Sequence, residues 1–261
     1  MDKLILILFL LFISSTIGFS QTYDISWKKD TPILGVSAGM ICTGILLSES
    51  ASPITEANLN DLNINDIWRF DRSAALNFSS NAGNISDIFR EGIYLVPFSL
   101  FFSGKARSEY KSILLMYSEV YLLNGGITIL TKEIVGRNRP YAYNEEAPLD
   151  LRLSATTRRS FFSGHVSHVS SLSFLTASIY SDIYPKSAYR YAVWAGAITA
   201  PAITGYLRYR AGRHFPSDII VGYGVGALIG YMIPKFHKSK SESGISLNVL
   251  NNGCSITYIL K

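Results

Sequence analysis

Three short stretches of this chain carry the residue types that phosphate chemistry needs. They run from Lys132 to Pro140, from Ser160 to His165 and from Arg208 to Asp218. Lys132 and Arg139 stand seven residues apart, so a continuing helix would bring them to nearly one face, and Pro140 would then stop it. Taken alone, that stretch reads first as a basic helix end favoured by the macrodipole, and Arg137 fits that account as well as Arg139 does. In the second stretch Ser163 is a natural N-cap, and Gly164 lets backbone approach a ligand. His165 then sits in a first helical turn, where free N–H groups bind anions and an imidazole can donate a proton. In the third stretch Pro216-Ser217-Asp218 reads as another helix start, with Ser217 as its cap. Asp218, one turn from His214, is placed to accept a hydrogen bond from one ring nitrogen. That fixes the tautomer and frees the other nitrogen as a nucleophile. Arg208 adds a cation, and two helix starts would face one anion, each bringing a histidine. His168, one turn past His165, invites a metal reading. With no cysteine and no His-Glu helix motif beside it, a satisfied bundle histidine is the better reading.

Positioning these groups falls to 261 residues, 48% apolar and 16% charged, enough for a large core or for membrane contact. A net charge of +5 suits a lipid surface or a few cations committed to an anionic substrate, and nothing points to nucleic acid. Cys42 and Cys254 are too few for a disulfide framework, and Cys42, in an apolar run, reads as a buried free thiol. Residues 1–20, with Lys3, an apolar run from Leu4 to Ile17 and small residues at Gly18 and Ser20, read as a cleaved secretory signal. Six apolar segments follow, near 32–47, 92–102, 111–130, 166–180, 188–207 and 217–233. Most are shorter or more polar than a comfortable span of about 20 residues. The fold class is therefore all-α, a bundle of about six apolar helices, either compact or built of short tilted membrane helices.

If all six span, Lys28, Lys29, Lys105, Arg107, Lys111, Lys186, Arg190, Lys235, Lys238 and Lys240 share one side, cytoplasmic by the positive-inside rule. The three reactive stretches then share the other side. A cleaved signal would reverse this, unless the bundle is secreted and sits beside a membrane. The conflict also disappears if the N-terminal run does not act as a translocating signal, and either resolution leaves the site in the cell envelope, outside the cytoplasm. The polar connection from Ser48 to Arg90 has Ile64, Ile67, Trp68 and Phe70 at helical spacing. It reads first as a surface loop with a short packed helix, and second as a cover over the site. Gly222, Gly226 and Gly230 read as a smooth packing face. Residues 21–236 then form the helical domain, with its motifs in 111–233, and residues 237–261 form a polar linker and tail. In the tail, Ile245–Leu250 and Cys254–Leu260 flank Asn251-Asn252-Gly253, a hairpin signal with no chemistry of its own, expected to pack on the bundle.

Together the three stretches resemble the type 2 phosphatidic acid phosphatase superfamily, which includes bacterial non-specific acid phosphatases and vanadium haloperoxidases. Its three-part signature reads here as Lys132, six residues, Arg139-Pro140; Ser163-Gly164-His165; and Arg208, five residues, His214, three residues, Asp218. The resemblance covers roughly residues 111–233. It implies a phosphatase that needs neither metal nor cofactor, acting on a phosphomonoester or pyrophosphate in a lipid or a small soluble ester. It further implies that His214 attacks phosphorus, Asp218 orients that ring and His165 protonates the leaving alcohol. Lys132, Arg139, Arg208, Ser163 and the Gly164 N–H would neutralise the phosphoryl oxygens. Vanadate-dependent halide oxidation and non-catalytic phospholipid binding are the competing readings. Phe162 stands where the family usually has proline. Leu207 replaces the serine that usually precedes the arginine, which removes a hydroxyl able to hold phosphate.

Overall fold

Apolar runs with few internal breaks become helices that need partners for their apolar faces. In the computed structural model, which describes residues 22–50, 52, 54–239, 245–250 and 253–258, five such helices dominate. They are α1 (Trp27–Ser50), α5 (Tyr110–Val135), α7 (Gly164–Ile183), α8 (Tyr189–Arg210) and α9 (Pro216–His237). Shorter helices join them: α2 (Glu56–Asn60), α3 (Ser80–Ile93), α4 (Gly104–Ser108) and α6 (Leu149–Arg152). The expected signal at 1–20 lies outside the described residues.

Helix α7 is the axis, packed by α9, α8 and α5. Val169, Leu172, Leu175 and Ile179 of α7 meet Ile113, Met116 and Val120 of α5 and Ile229 and Ile233 of α9 in the main core. The glycines of α9 set its contact with α7. A Cβ at Gly222, Gly226 or Gly230 would lie 2.6, 2.2 or 2.0 Å from the carbonyl oxygens of Ser163, Ser167 and Ser171. Backbone therefore rests on backbone, and this fixes the α9 start beside the α7 start. Helix α5 ends where Gly136 adopts a left-handed φ of 57°, a conformation that costs glycine nothing.

Among the described residues three helices are long and apolar enough to cross a membrane, α1, α5 and α9. Helix α1 leans on α5. Asp30, Ser37 and Gly44 are its buried residues. Cys42 points off that stripe, so the thiol is free and exposed, not buried as the apolar run suggested.

Two further expectations need correcting. The segment 92–102 is no long helix; α3 ends at Ile93 and a 3-10 stretch from Val96 to Phe102, containing Pro97, follows. In the polar connection the packed helix does not lie at 64–70, which holds a short 3-10 turn (Ile64–Asp66), with Trp68 and Phe70 exposed. It is α3 instead, started by the Ser79 hydroxyl accepting the Ala82 N–H at 3.3 Å, and it packs on α7 and α8. In the tail, strands β1 (Ile245–Leu250) and β2 (Gly253–Tyr258) run antiparallel with Ile245 opposite Tyr258. The expected packing of this tail on the bundle lies outside the described residues.

Helices α1, α5 and α8 run toward one end of the bundle, and α7 and α9 start there. That end carries the three reactive stretches. The opposite end carries Lys28, Lys29, Lys105, Lys111, Lys186, Arg190, Lys235 and Lys238.

Candidate active site

The loop before α7 ties the three stretches together, and Ser160 is its hub. The Ser160 N–H donates to the Arg137 carbonyl at 3.0 Å, linking it to the end of α5. Its carbonyl accepts the His214 Nδ1–H at 2.8 Å. Its hydroxyl donates to Asp218 Oδ2 at 2.5 Å. Further along the loop, the Ser163 N–H donates to the Asp218 carbonyl at 3.0 Å, so the α7 and α9 starts are bonded directly.

With Nδ1 committed to a carbonyl, the lone pair of His214 is on Nε2. One free ring nitrogen is what the sequence predicts, but the group that fixes the tautomer is the Ser160 carbonyl, not Asp218. Asp218 Oδ2 stands 3.8 Å from Nδ1, beyond hydrogen-bond range. The Asp218 carboxylate instead takes Ser160 Oγ, the Phe215 N–H at 3.0 Å and Arg137 Nη1 at 2.6 Å. Arg137 also binds Asp71 Oδ2 at 2.8 Å and stacks 4.1 Å from the Phe215 ring centroid. Asp71 in turn accepts the Ser217 N–H at 2.9 Å and its hydroxyl at 2.5 Å. Ser217 thus does not act as the α9 cap; the helix start is held by Asp71 and Asp218 together.

His214 is 1% exposed and its pKa is held well below the ordinary histidine value, first by burial and then by Arg139, Lys132, Arg208 and His165. That shared influence marks one locus for all five groups. Lys132 Nζ donates to the Arg159 carbonyl at 2.7 Å and reaches the Ser160 carbonyl at 3.5 Å. Gly164 is where α7 begins against α5, since a Cβ there would lie 3.0 Å from Thr128 Cγ2 and 3.7 Å from Lys132 Cε. Ser163 holds the N-cap position without a side-chain cap bond. Three donors of this locus, Arg139 Nε, Arg208 Nε and Ser163 Oγ, are buried with no hydrogen-bond partner among the described residues. Buried donors without partners are costly, and three around one histidine form a seat for an anion.

Helix α3 closes the locus. Asp87 Oδ1 lies 2.6 Å from His165 Nε2, and Arg208 Nη1 donates to the same oxygen at 3.3 Å and to Ser86 Oγ at 3.1 Å. The polar connection is thus a cover reaching the site. Burial and the cations Arg208, Arg90 and Arg139 push the His165 pKa down. The Asp87 carboxylate, in contact with the ring, acts in the opposite sense. His168 turns away: its Nδ1–H donates to the Gly164 carbonyl at 2.8 Å and its ring meets Tyr94 and Tyr121 edge-on.

All eight sequence-predicted residues, Lys132, Arg139, Ser163, Gly164, His165, Arg208, His214 and Asp218, therefore lie around one locus. Ser160, Arg137, Asp71 and Asp87 were missed. Arg137 carried a signal, a cation two residues from Arg139, but no spacing marked the two aspartates. Phe162 is 2% exposed and meets Phe161 edge to face. The Phe161–Phe162 peptide is cis.

Residues 113–242 match the family model of the PAP2 superfamily. A solved structure described as the first transmembrane PAP2 type phosphatidylglycerolphosphate phosphatase from Bacillus subtilis is 20% identical, with 77% of this chain and 94% of that chain covered and a TM-score of 0.49. No curated protein matches the sequence.

Proposed function

The chain belongs to the PAP2 superfamily through residues 113–242, and from that premise we propose a metal-independent phosphatase that works through a phosphohistidine. Its substrate is a phosphomonoester or pyrophosphate carried by a lipid. The observation that carries the reading is the set of unpartnered buried donors, Arg139 Nε, Arg208 Nε and Ser163 Oγ, beside a histidine whose tautomer leaves Nε2 free.

The substrate phosphoryl group occupies that seat, its oxygens facing Arg139, Arg208, Ser163, the Gly164 N–H and Lys132. His214 Nε2 attacks phosphorus in line with the ester oxygen, forming the P–N bond as the P–O bond to the alcohol breaks. His165 gives its proton to the departing oxygen. A water then attacks phosphorus, His165 takes one of its protons, the P–N bond breaks and inorganic phosphate leaves. Fixed cations and helix-start N–H groups stabilise the developing charge without having to reorganise, which is where most of the rate gain arises in sites of this kind. Asp218 acts through Ser160 and Arg137, holding the loop that holds His214. Asp87 supplies the counter-charge that lets His165 carry its proton among several arginines.

Helices α1, α5 and α9 span the bilayer in this reading, and the site end opens at the non-cytoplasmic interface, where a lipid phosphate is presented. Purified protein in detergent should release phosphate from at least one of phosphatidic acid, phosphatidylglycerol phosphate, an isoprenyl pyrophosphate or lipid A phosphate, with orthovanadate inhibiting. Release from none, with vanadate-dependent bromination observed, would move the assignment to the haloperoxidases. Lipid binding indifferent to vanadate, with no hydrolysis, would make it a binding protein.

A further inference from the structure

The end of the bundle remote from the phosphate seat holds a second cluster of ionisable groups. Asp30 in the first turn of α1, Glu119 within α5 and His237 at the end of α9 are 4%, 0% and 0% exposed. Their ligand atoms all lie within 4.8 Å of one another. His237 Nε2 is 3.0 Å from Asp30 Oδ1 and 3.3 Å from Glu119 Oε2. The helix from Asp218 to His237 rises about 28 Å, so this cluster touches no part of the phosphoryl chemistry.

Each member is oriented toward a common centre. The His237 Nδ1–H donates to the Ile233 carbonyl at 2.9 Å, which aims the Nε2 lone pair at the two carboxylates. A backbone bond of this kind is the usual outer support of a metal-binding imidazole. Asp30 Oδ2 accepts the Ser26 N–H at 2.9 Å, leaving Oδ1 for the centre. Apart from the His237 contact, neither carboxylate oxygen of Glu119 has a hydrogen-bond partner among the described residues, although the side chain is wholly buried. Such a carboxylate needs a cation beside it. Two carboxylates and a neutral imidazole are balanced by one divalent ion, whereas a proton on the imidazole leaves a net negative charge in the bundle. Ligands about 2.0–2.1 Å from one ion at tetrahedral or octahedral angles lie about 2.9–3.4 Å apart, and both measured separations to Nε2 fall in that range. The N-terminal segment covers the cluster, with the Asp24 N–H on the His237 carbonyl at 2.8 Å and the Ser239 N–H on the Thr22 carbonyl at 2.9 Å.

We propose that Asp30, Glu119 and His237 bind one divalent transition-metal ion, Zn2+ by preference, which fastens the three membrane-length helices α1, α5 and α9 together at the end away from the phosphate site. One imidazole and two carboxylates suit Zn2+ better than the all-oxygen sets of Mg2+ or Ca2+. The ion is structural, distinct from the metal-free chemistry at the other end. The test uses the full chain in detergent, loaded with Zn2+, desalted and analysed for metal by mass spectrometry. The wild type should retain close to one equivalent, and chelation should lower its melting temperature while leaving phosphate release at low temperature unchanged. Co2+ in place of Zn2+ should give visible d–d absorption. The near-isosteric Glu119→Gln and Asp30→Asn should lose both the metal and the absorption. A wild type that retains no Zn2+ and stays spectroscopically silent with Co2+, or a Glu119→Gln that retains as much metal as wild type, overturns the proposal and leaves a closed ion-pair cluster.

Discussion

At the residue scale the site depends on how one imidazole is held. His214→Ala should lower phosphate release by at least about 10^3-fold, because it removes the proposed nucleophile, while melting and detergent elution stay close to wild type; retained turnover would end the assignment. The depressed His214 pKa has a sign that can be checked by stability. The unfolded chain binds a proton there below about pH 6.5, and the folded chain does not, so stability is fully present above that pH and falls as pH drops. Melting temperatures measured from pH 7.5 to 5 should therefore slope less steeply in His214→Gln than in wild type. Asp87 makes a separate prediction. Asp87→Asn removes the carboxylate at His165 Nε2, so the alkaline limb of the kcat/KM profile should move to lower pH, and Asp87→Glu should restore it in part. A purely structural Asp87 would change the amplitude and leave the limb in place. Ser160 was legible only as part of a small-residue run, because its role comes from a carbonyl and a hydroxyl aimed at residues more than fifty positions away.

At the scale of elements, the glycine ladder and the Arg137 network add to the direct Ser163–Asp218 backbone bond in holding the α7 and α9 starts together. Gly230→Ala would place a methyl 2.0 Å from the Ser171 carbonyl oxygen, and should cost about 1–3 kcal/mol in thermal or denaturant unfolding. Gly224→Ala on the same helix, where a Cβ meets nothing within 4 Å, is the matched control and should be neutral. Arg137 is the cation for two almost fully buried carboxylates, Asp71 and Asp218. Arg137→Ala leaves both uncompensated and should destabilise by about 3–5 kcal/mol. The four-residue glycine spacing is readable as a packing face from the chain alone. Its partner, the backbone of α7, is not, and neither is the consequence that the ladder sets the distance between two reactive loops.

At the scale of the whole molecule the reactive loops occupy one end and the lysine-rich turns the other. In a background with Cys42 and Cys254 replaced by serine, Glu145→Cys, exposed at the site end, should react with a membrane-impermeant maleimide added to intact cells. Lys105→Cys, exposed at the opposite end, should react only after permeabilisation. The reverse pattern would place the site in the cytoplasm and exclude an envelope substrate.

Local chemistry was enough for the sequence to place the long helices α1, α5, α7, α8 and α9, and the three spaced motifs together pointed to eight candidate residues that the fold brings to one locus. Caps, breakers and apolar runs act over a few neighbouring residues, and the three spaced motifs each sit on such a boundary. Tertiary structure alone decided that the Ser160 carbonyl, not Asp218, fixes the His214 tautomer. It also decided that α3 brings Asp87 over His165, and that Asp30, Glu119 and His237 converge from three helices. These are meetings between groups far apart in the chain, set by how helices dock, and no local spacing encodes where two docked helices bring their side chains together.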